Sequence, residues 1–521
     1  MFRARTLRFC KPQPCTRFFT TADRSFVSKF SSLQNIAPIF ALRGEDIRPI
    51  TEPSAFHSHL KTQIMTAKKR ISMAALYVGA TEQELIDMLR IALSGSPSLQ
   101  VQILIDCLRG TRVTKDQSSA TLLLPLLQAF PDQVKVSLYH TPDLKGVLKK
   151  ALPQRFNEGI GLMHIKVFGF DDRVLLSGAN INHDYFTDRQ DRYIAFDNAP
   201  ALSDYYVDLI RTVSSFSYQL LPNVRESQHA LPYTLAITNE TPDPVHSSTL
   251  FKAEASKRMD DFIKKWMLST NPNDNGHPQH NRLSSTNPQL NELSFDSKSK
   301  QYDTLVVPVV QMGPLGVRQD EAATVRILDI ADNHGKKADA EERFWTIFLT
   351  SGYFNFTNMY KSRVLKTAAR FRLLTASPEA NSFFNSRGVS KYLPPAYTLI
   401  EHQFLTDVIR HKKGHLIGIE EYRRPGWTYH AKGLWIYPEN ESWPSLTMIG
   451  SSNFGYRSSE RDLEAQAIVI TRHTPLRKAI HFELDSLRKH FEEVNLQTFE
   501  REDRKVPYLV RLATSMIRTM L

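Results

Sequence analysis

Apolar residues along this chain fall into short runs, and the runs come in two sets that follow the same order. In the first half RISMAALYVG (70–79), LQVQILID (99–106), VKVSLYH (134–140), HIKVFGF (164–170), RVLLSGAN (173–180) and DRYIAFD (191–197) read as strands, being rich in β-branched and large apolar side chains. In the second half the corresponding runs are FWTIFLTSGYF (344–354), RFRLLTAS (370–377), HLIGIEEY (415–422), HAKGLWIY (430–437), SLTMIGSSN (445–453) and DLEAQAIVI (462–470). Segments of helical period separate them, such as Leu85, Met88, Leu89 and Ala92. Strands alternating with helices predict an α/β fold, with one α/β/α sandwich in each half. The repeat, about 266 residues from His164 to His430, is too long for a solenoid. It implies a duplicated domain with pseudo-twofold symmetry and an active site at the seam.

Polar composition marks where the halves part. From Leu268 to Gln301 the chain is rich in Asn, Pro and Ser, with STNP at Ser269–Pro272 and again at Ser285–Pro288, so a linker or insertion loop is expected over 268–302. The domains are then expected at 37–267 and 303–521. Charge-free stretches such as Thr304 to Val317 fall short of the roughly 18–20 apolar residues of a spanning helix.

Length and charge narrow the function classes. A chain of 521 residues that is 41% hydrophobic buries a large core, which excludes wholesale disorder and a small disulfide scaffold. The formal net charge of +12 favours a polyanionic partner, whether nucleic acid, an anionic membrane or phosphorylated small molecules. Half of that charge lies in residues 1–30, where Arg3, Arg5, Arg8, Lys11, Arg17, Arg24 and Lys29 face the single acid Asp23. That composition reads as a mitochondrial presequence; a basic arm touching lipid or nucleic acid is the alternative. The surplus left on the remainder is modest and does not call for nucleic acid. Cys10 and Cys15 fall within the segment, leaving Cys107 alone and no cysteine framework.

The chemistry sits in a pattern that occurs twice. His164-Ile165-Lys166 is followed by Asp171, Ser177-Gly178-Ala179-Asn180 and Asp191; His430-Ala431-Lys432 is followed by Gly450-Ser451-Ser452-Asn453 and Glu464, each acid eleven residues past its Asn. His411-Lys412-Lys413 has no such sequel and is a decoy. On a strand, residues two apart project to one face, so His and Lys can reach one phosphate. The imidazole can attack phosphorus while the ammonium neutralises a non-bridging oxygen. The Asn amide can donate to the same oxygens, and the acid can hold the second imidazole nitrogen and fix its tautomer. A surface cluster of Asp191 with Arg189 or Arg192, and of Glu464 with Arg461, is the alternative for the acids. Two copies suit double displacement, with one His as nucleophile and the other as acid and base.

HIKVFGFDD with SGAN, and HAKGLW with GSSN, resemble the paired HKD motifs of the phospholipase D superfamily. SGANINHDYFTDRQDRY, GWTYHAKGLW and IGSSNFGYRSSERDLEAQ resemble more narrowly the eukaryotic mitochondrial phosphatidylglycerophosphate synthases, a likeness that runs over nearly all of 37–521. The resemblance implies two phospholipase D-like domains and metal-independent transfer of a phosphatidyl group from CDP-diacylglycerol to sn-glycerol 3-phosphate, releasing CMP, with no cofactor. It also implies a peripheral enzyme on the matrix side of the inner membrane, feeding phosphatidylglycerol and cardiolipin synthesis. By that analogy His164 is the nucleophile, through a phosphohistidine intermediate, and His430 the acid and base. Two departures stand out: Tyr437 occupies the second motif's aspartate position, and PENESWP (438–444) delays its GSSN. Asp171, lacking a counterpart, is expected to support structure around the first histidine.

Tyr185, Arg189, Arg457 and Arg461 are candidates for the acceptor phosphate, because arginine offers a bidentate fork. The stripe Leu509, Leu512, Ala513, Met516, Ile517 and Met520 is expected to pack on the domain, with an anionic lipid surface as the alternative. No P-loop and no metal-ligand spacing occurs, and His277 and His280 fall in the polar loop. Two rival functions share these residues: a phospholipase or nuclease using water as acceptor, and an inactive phosphate-binding protein.

Overall fold

The computed structural model describes residues 26–114, 116–145, 157–223, 231–238, 240–270, 302–338 and 344–518. Two mixed sheets dominate. The first runs, edge to edge, Tyr233–Ala236, Tyr218–Pro222, Val134–Tyr139, Gln100–Asp106, Arg70–Ala74, Val167–Phe170, Arg173–Ser177, Tyr193–Phe196 and Ile47–Ile50. The second runs Phe491–Val494, Ile417–Tyr422, Arg370–Ala376, Thr346–Ser351, Lys432–Tyr437, Leu446–Gly450, Leu463–Thr471, Thr304–Met312 and Phe40–Leu42. In each, three parallel strands adjoin an antiparallel set, so the repeat read from the sequence is a repeat of topology. Every predicted run appears as a strand, trimmed at its ends, and central strands such as Val167–Phe170 and Leu463–Thr471 are buried at every position because helices or the other half cover both faces. The helix Gln83–Gly95 buries Leu85 and Leu89 of the periodic set together with Ile86 and Leu93, while Met88 and Ala92 are half-buried beside them.

The seam is itself a hydrophobic core. Met163, Ile165 and Tyr206 of the first half share one buried cluster with Val310, Tyr429, Ala431 and Ala465 of the second. The helix Ser248–Thr270 adds Phe251, Ala255, Met259, Phe262 and Trp266 to it and continues past the expected domain end at 267. The rest of the expected linker, 271–301, lies outside the described residues, as do residues 1–25 with Cys10 and Cys15.

The start of the chain does not follow the expected boundaries. Val27, Phe30 and Leu33 of the 3-10 helix Val27–Asn35 are buried in the second half's core, where Phe30 lies 6.0 Å from Trp345. Phe40–Leu42 then pairs with Thr304–Met312, and only Ile47–Ile50 joins the first sheet, against Tyr193–Phe196. Strands this short carry too little pattern to be seen in sequence, and Pro49 and Pro308 interrupt two of the missed ones.

Within the C-terminal stripe Leu509, Leu512 and Ala513 depart from the packing expectation, while the side chains of Met516, Ile517 and Met520 lie outside the described residues. In the helix Tyr508–Ile517 it is Val510 and Thr514 that are buried, while Leu509 is 76% and Leu512 53% exposed. Among the described residues no helix is long and apolar enough to cross a membrane.

Candidate active site

Both His-x-Lys segments enter the seam at the start of equivalent strands. Lys432 opens Lys432–Tyr437, whereas His164 and Lys166 lie just before Val167–Phe170. Backbone bonds lock each segment to the opposite half: His164 N donates to Leu463 O at 2.8 Å and His430 N to Gln190 O at 2.8 Å. Thr428–Tyr429 pairs in parallel with Arg189–Gln190 to complete that second lock.

The acids are exchanged between the halves. Glu464 holds Nδ1 of His164 at 2.9 and 3.0 Å, and Asp191 holds Nδ1 of His430 at 2.7 Å. Each motif therefore supplies the acid for the other motif's histidine, which one motif considered by itself does not reveal. Lys432 Nζ also comes within 2.6 Å of His430 Nδ1 and bonds the His430 carbonyl. One nitrogen cannot both donate to Asp191 and accept from an ammonium; the carbonyl takes the lysine, and Nδ1–H goes to Asp191, leaving Nε2 for chemistry. Lys166 Nζ likewise donates to His164 O at 2.8 Å.

Burial shapes the electrostatics. Lys166, Lys432, Asp191 and Glu464 are fully or almost fully enclosed. Loss of hydration, with the lysine charges adding to it, holds both histidines well below their usual range. Burial pushes Asp191 up to about 6, against the pull of Lys432, and pushes Lys432 down to about 8, against the pull of Asp191. Gly178 is required here: a Cβ on it would lie 2.5 Å from Asp191 Oδ1 and 2.8 Å from Lys432 Cδ.

The remaining expected residues divide. Asn180 is spent on structure, its Oδ1 accepting from Leu76 N at 3.1 Å and its Nδ2 donating to Tyr185 Oη at 3.2 Å. The backbone N–H of Asn453 donates to Ser458 Oγ at 3.0 Å, and its side-chain Oδ1 is buried with no partner among the described residues. Tyr185 reaches the centre, its hydroxyl 3.4 Å from His430 Nε2. Arg189 lies over the Tyr185 ring at 4.7 Å. Arg457 pairs with buried Asp462 at 2.9 Å. Arg461 has a long bond, 3.5 Å, to Ile160 O. The decoy His411 is at a helix end, bonded to Asp407 O.

Asp171, grouped with the catalytic residues and expected to support structure, bonds backbone amides rather than either histidine. Its carboxylate accepts the amides of Lys68, Lys69 and Arg70 at 2.8, 2.7 and 3.0 Å, and its φ of 52° is one that Asp and Asn tolerate. At the equivalent position Tyr437 instead bonds His481 Nδ1 at 2.8 Å. Asp171→Ala is expected to cost about 1–3 kcal/mol of stability by orphaning those amides. Thermal melts with kcat on the folded fraction check it; a loss of kcat matching a histidine variant would contradict the assignment.

Sequence reasoning missed Tyr353, whose ring meets His430 edge-on at 5.6 Å, and Asp462, which accepts from Leu162 N and Arg457. Asp462 directly follows Arg461 and lies two residues before Glu464, so its place within the motif was the available signal. His164, Asp462 and Glu464 present ligand atoms within 4.8 Å of one another. Those atoms are already committed to Arg457, to Leu162 N, to Ser458 and to one another, beside two lysines.

Two α/β sandwiches thus trade acids across a seam to orient a pair of histidines, each beside a buried lysine. A solved phosphatidylserine synthase of Haemophilus influenzae Rd KW20 shares the fold over 95% of this chain and 100% of its own, with a TM-score of 0.67 at 18% identity. No family model matches the chain. The mitochondrial CDP-diacylglycerol–glycerol-3-phosphate 3-phosphatidyltransferase of Gallus gallus is 39% identical over 507 residues, covering 94% of this chain and 86% of that one. The human protein of the same name is 38% identical with the same coverage, and the Saccharomyces cerevisiae one 36% identical over 98% of this chain and 94% of its own. The chain belongs to the CDP-diacylglycerol–glycerol-3-phosphate 3-phosphatidyltransferase family.

Proposed function

We propose that this chain transfers the phosphatidyl group of CDP-diacylglycerol to sn-glycerol 3-phosphate, giving phosphatidylglycerophosphate and CMP. The observation that carries the reading is the crossed pair of histidine–carboxylate contacts, each beside a buried lysine, in a chain of this family. In the first step Nε2 of His164 attacks the phosphatidyl phosphorus and the bond to the CMP oxygen breaks, with His430 supplying a proton to that oxygen as needed. In the second, His430 Nε2 takes the proton of the acceptor hydroxyl, whose oxygen forms the new P–O bond as N–P breaks. Lys166 and Lys432 offset the charge that gathers on the non-bridging oxygens. The Tyr185 hydroxyl beside His430 Nε2 suits the histidine that exchanges protons. His164, with Nδ1 fixed by both oxygens of Glu464, suits the nucleophile.

The same reading places the enzyme on the matrix side of the inner mitochondrial membrane, as a peripheral protein at an anionic surface. Burial of Val27 and Phe30 in the core supports a presequence that ends before Phe26 rather than at 30. The two domains divide at 271–301, with Val27–Leu42 belonging to the second. The test is CMP release from CDP-diacylglycerol with and without sn-glycerol 3-phosphate. Release is expected to depend on the acceptor and to match the phosphatidylglycerophosphate formed. Acceptor-independent release would make the protein a hydrolase, and no release at all a binding protein.

A further inference from the structure

We propose that Arg189 binds the phosphate that the acceptor carries into the reaction and keeps, and so selects a phosphorylated alcohol over water; this rests on the phosphatidyltransferase reading above. Such a reaction needs two anion sites. The reacting phosphorus group has Lys166 and Lys432. The spectator phosphate needs a cation of its own, close to the histidine that takes the acceptor's proton. Three arginines come into question, and the pseudo-symmetry separates them.

Aligned on Asn180 and Asn453, Asp184 is equivalent to Arg457 and Arg189 to Asp462, so the same ion pair occurs in both halves with its charges reversed. In the second half the acid is interior. Asp462 is 3% exposed, accepts from Leu162 N at 2.8 Å and holds Arg457 Nε at 2.9 Å, while Arg457 Nη2 donates to Glu158 O at 3.0 Å. Its fork is already used to fix the loop beside His164. Arg461 is drawn to the same stretch as Arg457, donating to the Ile160 carbonyl at 3.5 Å.

The first half is built the other way round. Arg189 is the enclosed member, its side chain 14% exposed, and its partner Asp184, 3.0 Å away, is 49% exposed. Water screens a pair with one end in solvent, so the pair contributes little and can be exchanged for a better-placed anion. The guanidinium is nevertheless held in position. Nε donates to Thr428 Oγ1 at 3.0 Å, its strand is paired with Thr428–Tyr429, and its plane lies over Tyr185 at 4.7 Å. Through Tyr185 Oη, 3.4 Å from His430 Nε2, the fork stands one side chain from the nitrogen that would deprotonate the acceptor. An acceptor with a hydroxyl at one end and a phosphate at the other, three carbons apart, bridges those two points; water cannot.

The experiment compares Arg189→Lys and Arg189→Gln with Arg457→Lys in the full chain on mixed micelles of CDP-diacylglycerol. For the two Arg189 variants KM for sn-glycerol 3-phosphate is expected to rise about 10- to 100-fold, the loss of charge-assisted hydrogen bonds to one phosphate. KM for CDP-diacylglycerol should stay within about 3-fold. Arg457→Lys should lower kcat or stability without that acceptor-specific rise. Binding of sn-glycerol 3-phosphate without lipid, measured by calorimetry, should weaken in parallel for Arg189→Gln. An unchanged acceptor KM in a folded Arg189→Gln protein, or equal rises for both substrates, overturns the proposal. Absence of acceptor-dependent product in the unaltered enzyme instead overturns the reading on which it rests.

Discussion

His164→Ala and His430→Ala are each expected to abolish net transfer, but to stop the reaction at different points. His164→Ala removes the atom that bonds phosphorus, so neither CMP release nor labelling of the protein by phosphatidyl phosphorus should occur. His430→Ala should still label. The leaving oxygen is that of a nucleoside monophosphate, and a phosphate monoester has its second pKa near about 6, so its departure needs little proton help. The acceptor is an alcohol, which does need a base, and loss of general base catalysis costs about 10²- to 10⁴-fold. Phosphatidyl-enzyme should therefore accumulate in His430→Ala, detected as acid-labile label on His164. The exchanged acids sharpen the test: Glu464→Gln should resemble His164→Ala, and Asp191→Asn should resemble His430→Ala, because each carboxylate serves the other motif's histidine. Grouping by sequence motif instead, with Asp191→Asn blocking labelling, would contradict the crossed geometry. Substantial turnover in either histidine variant would overturn the two-histidine mechanism.

How far the site could be read from sequence follows from what a repeat can and cannot encode. The duplicated order of His, Lys, Asn and acid contains the lysines and carboxylates that meet the two imidazoles, because those groups lie within a short reach of each motif, whereas Asp462 and Tyr353 have no place in that order. The pairing of acid with histidine was not legible. It depends on how the halves dock, which is fixed by apolar contacts such as Met163 and Tyr429 and by backbone bonds at Leu463 and Gln190. The strands of the first sandwich were visible because their apolar runs are long enough to show their period. Phe40–Leu42 was not, since three residues have none, and its pairing with Thr304–Met312 is a contact about 264 residues distant in sequence. The presequence composition extended smoothly to Lys29, while the packing of Val27 and Phe30 shows that folded structure starts inside it. Composition reports an average over a segment, whereas burial is decided residue by residue.

The crossed geometry depends on a joint built around Arg192. Arg192 directly follows Asp191, donates its own amide to the Asp191 carboxylate at 2.8 Å, and sends its guanidinium across the seam. There it meets Glu483 through Nε and Nη2, both at 2.9 Å, Met448 O at 2.6 Å, Thr447 Oγ1 at 2.9 Å and Lys432 O at 3.3 Å, with Trp435 stacked at 3.9 Å. Gly433 has a φ of 134°, and a Cβ there would lie 2.0 Å from Arg192 Nη1, so the strand carrying Lys432 is shaped to admit this side chain. The second half has Ala465 at the equivalent position, and only the His430 side has such a strut. With the Arg192 side chain fully buried and that of Glu483 2% exposed, Glu483→Ala should leave an uncompensated interior charge and cost about 3–5 kcal/mol. Replacing both, as Arg192→Met with Glu483→Leu, should restore much of that stability, since an apolar pair carries no desolvation penalty. Turnover should not recover with it, because Lys432 O and Met448 O lose the donor that holds their strand against Asp191. Denaturant titration together with kcat at a temperature where every variant is folded separates the two effects. If kcat returns along with stability in the double variant, Arg192 and Glu483 hold the halves together without aligning the site.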